Sequence, residues 1–241
     1  MDGGAVSLSG RKLFLQYHQQ ARDEKRTFFL EHEAAQVCER YGLPLPASGF
    51  AQDKQQAVSI AEELGYPVVM KVVSPQVIHK SEVEGVRVGI RTREELLEAY
   101  DAISASVTSH EPHAEILGQF IVEMAGEGVE TIVGLKRDET FGPVVMFGMG
   151  GIFVELYKDV SFRLCPVADA EVEAMVNEVK GHKLLKGFRG MPEADMEALK
   201  KVILQVCSMG TDNPEIASID LNPVRVNGEG ALALDTRIIL E

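Results

Sequence analysis

The chain has 241 residues, 45% hydrophobic and 25% charged, an ordinary soluble composition long enough for one large domain or two small ones. Its formal net charge of −13 excludes the basic face that duplex nucleic-acid binding requires, although a few lysines and backbone N–H groups are enough to hold a small anion. No apolar run approaches the roughly 20 residues needed to cross a bilayer. No apolar signal core opens the chain. Cys38, Cys165 and Cys207 are odd in number and lack CxxC spacing, which predicts neither a disulfide frame nor a zinc site and suits a reducing cytoplasm.

Residues 1–27 read as an N-terminal extension. The Gly- and Ser-rich first ten are expected to be disordered or foreign to the natural chain, and the mixed pattern leaves open whether Leu13-Phe-Leu15 docks. A helix is predicted from Leu30 to Tyr41, stopped by Gly42 and Pro44. Within it, His32-Glu-Ala-Ala-Gln36 falls one histidine short of the HExxH zinc motif and reads as plain helix surface. Ala57, Ile60, Ala61 and Leu64 follow helical spacing up to Gly65.

Val68–Val73 is a β-branched run suited to a buried strand, and Pro75 stops it because proline cannot donate to a sheet ladder. Lys71 interrupts that run, so it must find an anion or reach water. Val86, Val88 and Ile90 alternate as a second, half-buried strand, and the loop between carries His79, Lys80 and Gly85. Thr92-Arg-Glu-Glu95 is a capping box whose helix buries Leu96, Leu97, Tyr100 and Ile103. Residues 28–117 thus form a first α+β subdomain.

Residues 118–241 form a second. Gln119–Met124 reads as a strand, Ala125–Gly128 as a turn, and Val129–Leu135 as its hairpin partner. Gly142–Phe147 is a further strand running into Gly148-Met-Gly150-Gly151, and Ile152, Val154 and Leu156 alternate away from it. Helices are predicted near Asp169–Val179 and Pro192–Ser208, the second opened by its proline. The chain closes with a strand over Glu215–Val226, a turn within 227–230 and a strand over Ala231–Asp235.

That closing hairpin carries chemistry. Ile219 and Leu221 point one way on a strand, so Asp220 and Asn222 point the other. A two-residue turn at Asn227-Gly228 places Asp235 opposite Asp220, and one at Gly228-Glu229 places it opposite Asn222. Either way three hard oxygen donors share a face, which suits Mg²⁺ that also holds phosphate oxygens; a solvated outer face with two acids is the plainer alternative. Gly148-Met-Gly150-Gly151 is neither Walker A nor GxGxxG, so P-loop and dinucleotide-binding readings fail. His79 has three readings: core histidine, surface histidine or nucleophile. Its neighbours Lys80, Ser81 and Glu82 exclude the first. An imidazole suits reversible phosphoryl relay, with Lys71 offsetting phosphate charge.

Lys71…His79-Lys-Ser-Glu-Val-Glu-Gly-Val, Phe141-Gly-Pro-Val…Phe-Gly-Met-Gly-Gly-Ile152, Ser218-Ile-Asp-Leu-Asn-Pro-Val224 and Ala233-Leu-Asp-Thr-Arg-Ile238 together resemble the nucleotide-binding β subunit of ADP-forming acyl-CoA (acetyl-CoA) synthetases. These are relatives of the succinyl-CoA synthetase β subunit with an ATP-grasp fold, and the resemblance covers about residues 30–240. It implies two α+β subdomains with a nucleotide cleft between them, and ATP or ADP with Mg²⁺ as cofactors. Lys71 would contact nucleotide phosphates. Glu123 and Met124 would form the adenine hinge through backbone groups, and Glu130 would lie at the ribose. Gly150 and Gly151 would approach the phosphates, and Asp220, Asn222 and Asp235 would serve Mg²⁺. His79 would take phosphate from a phosphohistidine delivered by a separate CoA-binding α subunit and pass it to ADP.

The sequence departs from the family at Glu84, where the loop usually carries glycine. This restricts the backbone and adds negative charge beside the phosphoryl path, which bears on His79 more than on the nucleotide site. Two alternatives stand beside the subunit reading: a stand-alone ATP-grasp ligase joining a carboxylate to an amine, and a non-catalytic nucleotide-sensing module.

Overall fold

The protein is described by a computed structural model over residues 3–151, 159–187 and 192–241. In chain order its elements are α1 (Gly3–Asp23), α2 (Glu31–Arg40), β1 (Ser48–Ala51), α3 (Lys54–Leu64), β2 (Val68–Val73), β3 (Val86–Ile90), α4 (Arg93–His110) and β4 (Gly118–Glu123). There follow β5 (Val129–Asp138), β6 (Gly142–Met149), β7 (Val160–Leu164), α5 (Asp169–Glu178), a 3₁₀ segment (Lys180–Lys186), α6 (Met196–Asp212), β8 (Ile216–Asn227), β9 (Gly230–Ala233) and β10 (Thr236–Leu240). The chain divides into two compact units, one of Leu30–His32 and Pro46–Gly126, the other of Met1–Phe29, Glu33–Leu45 and Glu127–Glu241. No helix among the described residues is long and apolar enough to cross a membrane.

The smaller unit is an antiparallel sheet of strand order β1-β4-β2-β3, with α3 and α4 packed on it. Val68, Met70 and Val72 project from β2 into a core shared with Ala57 and Ala61 of α3 and with Leu96, Ile103 and Val107 of α4. Because side chains alternate along a strand, that choice sends Lys71 to the opposite face. Asp53 caps α3 by accepting from the Gln56 N–H at 2.8 Å. Thr92 caps α4 by accepting from the Glu95 N–H at 3.2 Å, and the returning Glu95 carboxylate takes the N–H of Arg91 at 2.7 Å.

The sequence expectation for β4 is corrected here. Gln119–Met124 does not turn back on β5. Instead β4 lies between β1 and β2, and β5 lies between β6 and β8 in the other unit. The chain keeps its first sheet past the strand end, since Glu123 N–H donates to Ala47 O at 2.8 Å and Met124 N–H to Pro67 O at 3.3 Å. Sequence adjacency suggested a hairpin; the hydrogen bonds of two earlier strands decide otherwise.

The larger unit is built on a sheet of order β10-β8-β5-β6-β7, with β9 pairing the far half of β8. Val133 and Leu135 of β5, Val145 and Phe147 of β6, and Ile219 and Leu221 of β8 meet Leu199, Ile203, Val206 and Met209 of α6 in one core. One face of α2 joins this core as well: Ala34, Val37 and Cys38, with Tyr41 just past the helix, are buried in it, so the stretch His32–Gln36 is not the plain surface that its polar letters suggested. Glu33 is buried against Arg26, whose guanidinium reaches both carboxylate oxygens at 2.9 and 3.0 Å.

Two further expectations give way. The N-terminal extension is helical from Gly3, and Phe14 and Ala21 are fully buried. Phe14 lies 5.3 Å from the Phe29 ring, and Arg11 binds Glu215 at 2.6 and 2.8 Å and Asn213 at 2.9 Å. The cysteines also pair after all: Cys165, just past β7, is disulfide-bonded to Cys207 of α6 across 42 residues of sequence. Pro192 precedes rather than opens α6, because Asp195 is the N-cap and accepts from Ala198 N–H at 2.9 Å. The strand predicted around Ile152, Val154 and Leu156 lies outside the described residues.

Candidate functional site

The smaller unit resolves how Lys71 satisfies its charge. Its ammonium sits 2.5 Å from Oε1 of Glu31, and the ammonium of Lys80 sits 2.9 Å from Oε2 of the same carboxylate. The Glu31 side chain is 3% exposed. Burial alone would push its pKa up, but the two lysines outweigh that and hold it well below the usual carboxylate range, at about 2. One buried anion therefore holds two cations. Sequence reasoning missed Glu31, which lies 40 residues before Lys71 and beside the HExxH-like letters that drew attention to His32 instead. His32 itself stacks on Phe50, with ring centroids 4.2 Å apart.

The loop between β2 and β3 carries His79, which is exposed to solvent. Val77 and Val83 are buried and pin the loop on both sides of it. Its turn is closed by Glu82 N–H donating to His79 O at 3.1 Å and Gly85 N–H donating to Lys80 O at 2.7 Å. A Cβ at Gly85 would come within 2.7 Å of Val72 Cγ1 and 3.0 Å of Lys80 O, so that closure needs glycine. Glu84 adopts φ 51°, a left-handed conformation that glycine takes without strain. Its carboxylate accepts from Ser106 Oγ at 3.3 Å and lies 3.8 Å from Arg87, so its charge is partly engaged. At the end of β4, Glu123 and Met124 are exposed, while their N–H groups donate to Ala47 and Pro67 within this unit.

In the larger unit, Asn227 pairs with Gly230, so the final turn is at Gly228-Glu229. The register then runs on unbroken: Ala233 pairs with Val224, Thr236 with Leu221 and Arg237 with Asp220. Asp235 therefore falls opposite Asn222, the second of the two sequence alternatives. Asp220, Asn222 and Asp235 are all exposed. Desolvation by its surroundings lifts the Asp220 carboxyl above the usual aspartate range, with Arg237 pulling it back. Two carboxylates and an amide oxygen form a hard-oxygen donor set of the kind that fits Mg²⁺. Among the described residues no group of three or more His, Cys, Asp and Glu gathers as a metal cluster.

Gly150 N–H donates to Glu130 O at 2.7 Å, and a Cβ at Gly150 would meet the Glu130 Cβ and O at 2.9 Å. The Glu130 carboxylate accepts from Arg225 at 2.7 Å. Gly151 follows with φ 63°. The structure thus brings Glu130 to Gly150, and Asp235 across from Asn222, within the larger unit. It brings Lys71 and the His79 loop together through Glu31 in the smaller one.

The ATP-grasp domain model matches residues 20–240. The chain is 42% identical over 222 residues to the β subunit of acetate–CoA ligase [ADP-forming] I of Pyrococcus furiosus, covering 92% of this chain and 95% of that subunit. It belongs to the ATP-grasp β subunits of ADP-forming acyl-CoA synthetases. A second relative, the 4-hydroxybutyrate–CoA ligase [ADP-forming] of Nitrosopumilus maritimus, is 44% identical over 221 residues, which are 91% of this chain and 32% of that longer protein. The ATP-grasp chain also superposes on a chain of acetyl-coenzyme A synthetase 1 from Ca. Korarchaeum cryptofilum with a TM-score of 0.92 and 47% identity, covering 97% and 100% of the two. That synthetase has also been solved with coenzyme A and Mg-AMPPCP, its phosphohistidine segment pointing towards the nucleotide-binding site.

Proposed function

We infer that this chain is the ATP/ADP-binding subunit of an ADP-forming acyl-CoA synthetase, acting in acyl-CoA + ADP + phosphate ⇌ acid + CoA + ATP. The observation that carries this reading is the His79 loop, where an exposed imidazole adjoins Lys80 and both site lysines are fixed on the buried Glu31 carboxylate. In the direction of ATP synthesis, a phosphohistidine delivered by a separate CoA-binding α subunit gives its phosphoryl group to the His79 imidazole. A terminal phosphate oxygen of ADP then attacks phosphorus, the N–P bond breaks, and the electron pair returns to the ring nitrogen. Lys71 offsets the phosphate charge.

Glu123 and Met124 flank the adenine. With both N–H groups engaged inside the unit, the base is read there through carbonyl oxygens or by displacing those bonds. Glu130 lies towards the ribose, and Gly150 and Gly151 approach the phosphates. Asp220, Asn222 and Asp235 would hold Mg²⁺, which supplies charge neutralisation at the phosphates. The need for CoA and adenine nucleotides supports a cytoplasmic location for the enzyme.

The test is to incubate the purified chain with Mg²⁺ and γ-labelled ATP. An acid-labile, base-stable label that vanishes in His79→Ala, with acyl-CoA formed only after α subunit is added, is the expected result. Acyl phosphate made by this chain alone would instead identify a stand-alone carboxylate ligase. Nucleotide binding without any label would identify a sensing module.

A further inference from the structure

Glu31 is a buried carboxylate for which the phosphoryl-transfer scheme above has no use, and its second partner is unexpected. Lys71 needs an anion because it interrupts a buried strand. Lys80 has no such need: it lies in a surface loop, where a lysine ordinarily keeps its ammonium in water. Yet its side chain turns inward to Glu31 and is only 18% exposed. The same residue's carbonyl accepts the Gly85 N–H that closes the turn, and it directly follows His79.

We propose that Glu31 is a positioning residue that, by bridging Lys71 and Lys80, latches the His79 loop to β2 and sets the imidazole and the Lys71 ammonium at a fixed spacing for phosphoryl transfer. This rests on the phosphohistidine reading above. Chemically, the bridge couples the phosphate-neutralising cation on a rigid strand to the nucleophile on a loop. A nucleophile held in a near-attack position gains rate that a swinging one loses. The Val77 and Val83 side chains anchor the two flanks of the loop, so the Lys80–Glu31 pair fixes what lies between them, which includes His79.

Lys80→Met separates this role from folding, because it leaves the Glu31–Lys71 pair in place. In the full chain with Mg²⁺ and γ-labelled ATP, single-turnover labelling of His79 in Lys80→Met should slow about 10–100-fold, while the dissociation constant for ATP changes by less than about threefold. Backbone amides of residues 78–84 should exchange hydrogen faster, and Lys80→Arg should restore most of the labelling rate. Glu31→Gln should both slow labelling and weaken ATP binding, since it breaks the Glu31–Lys71 pair as well. Labelling of Lys80→Met at the wild-type rate, or unchanged exchange in the loop, would overturn the latch. Absence of label from the wild-type chain would sink the phosphohistidine reading and the catalytic half of this inference with it; the exchange measurement still decides whether the loop is latched.

Discussion

Replacing Glu31 by glutamine removes a buried anion that two lysines share. The cost has two independent estimates. The two lysines hold the carboxyl down to about 2 against an ordinary 4.5, which corresponds to a stabilisation on the order of 3 kcal/mol. Removing one partner of a buried ion pair costs about 3–5 kcal/mol, because the other charge is left without compensation in a poorly solvated place. Lys71 loses its Glu31 partner with its side chain only 11% exposed, whereas Lys80 can swing back to water. A loss of about 3 kcal/mol is therefore expected at pH 7.

The sign of the pH dependence follows from the lowered pKa. Glu31 contributes its full stability above the unfolded value near 4.5 and loses it as pH falls towards 2. Urea unfolding of the wild type and Glu31→Gln at a series of pH values from 7 to 2.5 isolates this, since the remaining acids titrate in both. The gap between the two curves should be widest above pH 5 and should close by about 3 kcal/mol at the acid end. A gap that stays constant with pH would refute the assignment of Glu31 as the ionised centre of the cluster.

Asn222→Ala should weaken binding of Mg²⁺-ATP by about 1–3 kcal/mol through loss of an oxygen donor while leaving the unfolding midpoint nearly unchanged, as read by titration calorimetry beside thermal melts. At the left-handed Glu84, Glu84→Gly should be more stable than Glu84→Ala by about 1 kcal/mol, because only glycine relieves the strain and both lose the exposed contacts to Arg87 and Ser106; equal stabilities would count against φ 51°. Gly150→Ala should destabilise by about 1–3 kcal/mol, since its Cβ meets the Glu130 backbone, and should lower ATP affinity in the same titration. The Cys165–Cys207 bridge closes 42 residues, a loop whose constraint is worth about 4 kcal/mol. Cys207→Ser should therefore lower the urea midpoint, and non-reducing peptide mapping should recover the bridged pair; a mapped Cys207 thiol would refute it.

What the sequence made legible was what local pattern controls. Lys71 stood out because a cation in a β-branched run is chemically expensive, and the oxygen donors at Asp220 and Asn222 stood out because alternation on one strand sets their side. Glu31 did not, because its partners are remote in sequence and a carboxylate at a helix start reads as solvated. The pairing of β4 failed for a related reason: a strand, a glycine-rich turn and another strand imply a hairpin unless edges provided earlier in the chain claim the first strand. Helix α1 was legible but overlooked. Phe14, Tyr17 and Ala21 recur at helical spacing on the face that packs, and the Gly/Ser-rich start obscured them. The cysteine pair could not be read at all, since only the fold brings Cys165, just past β7, to Cys207 of α6.

Strand β8 serves two neighbours on one edge, β9 over its last residues and β10 over its first, and both keep the same count against it as far as Ile239. The oxygen donors at the seam thus depend on arithmetic as much as on chemistry. Lengthening the final turn by a single residue would carry Asp235 to the other side of the ribbon while leaving every donor present in the sequence. Length polymorphism among homologues should be absent between Gly228 and Asp235, however freely the residues there vary.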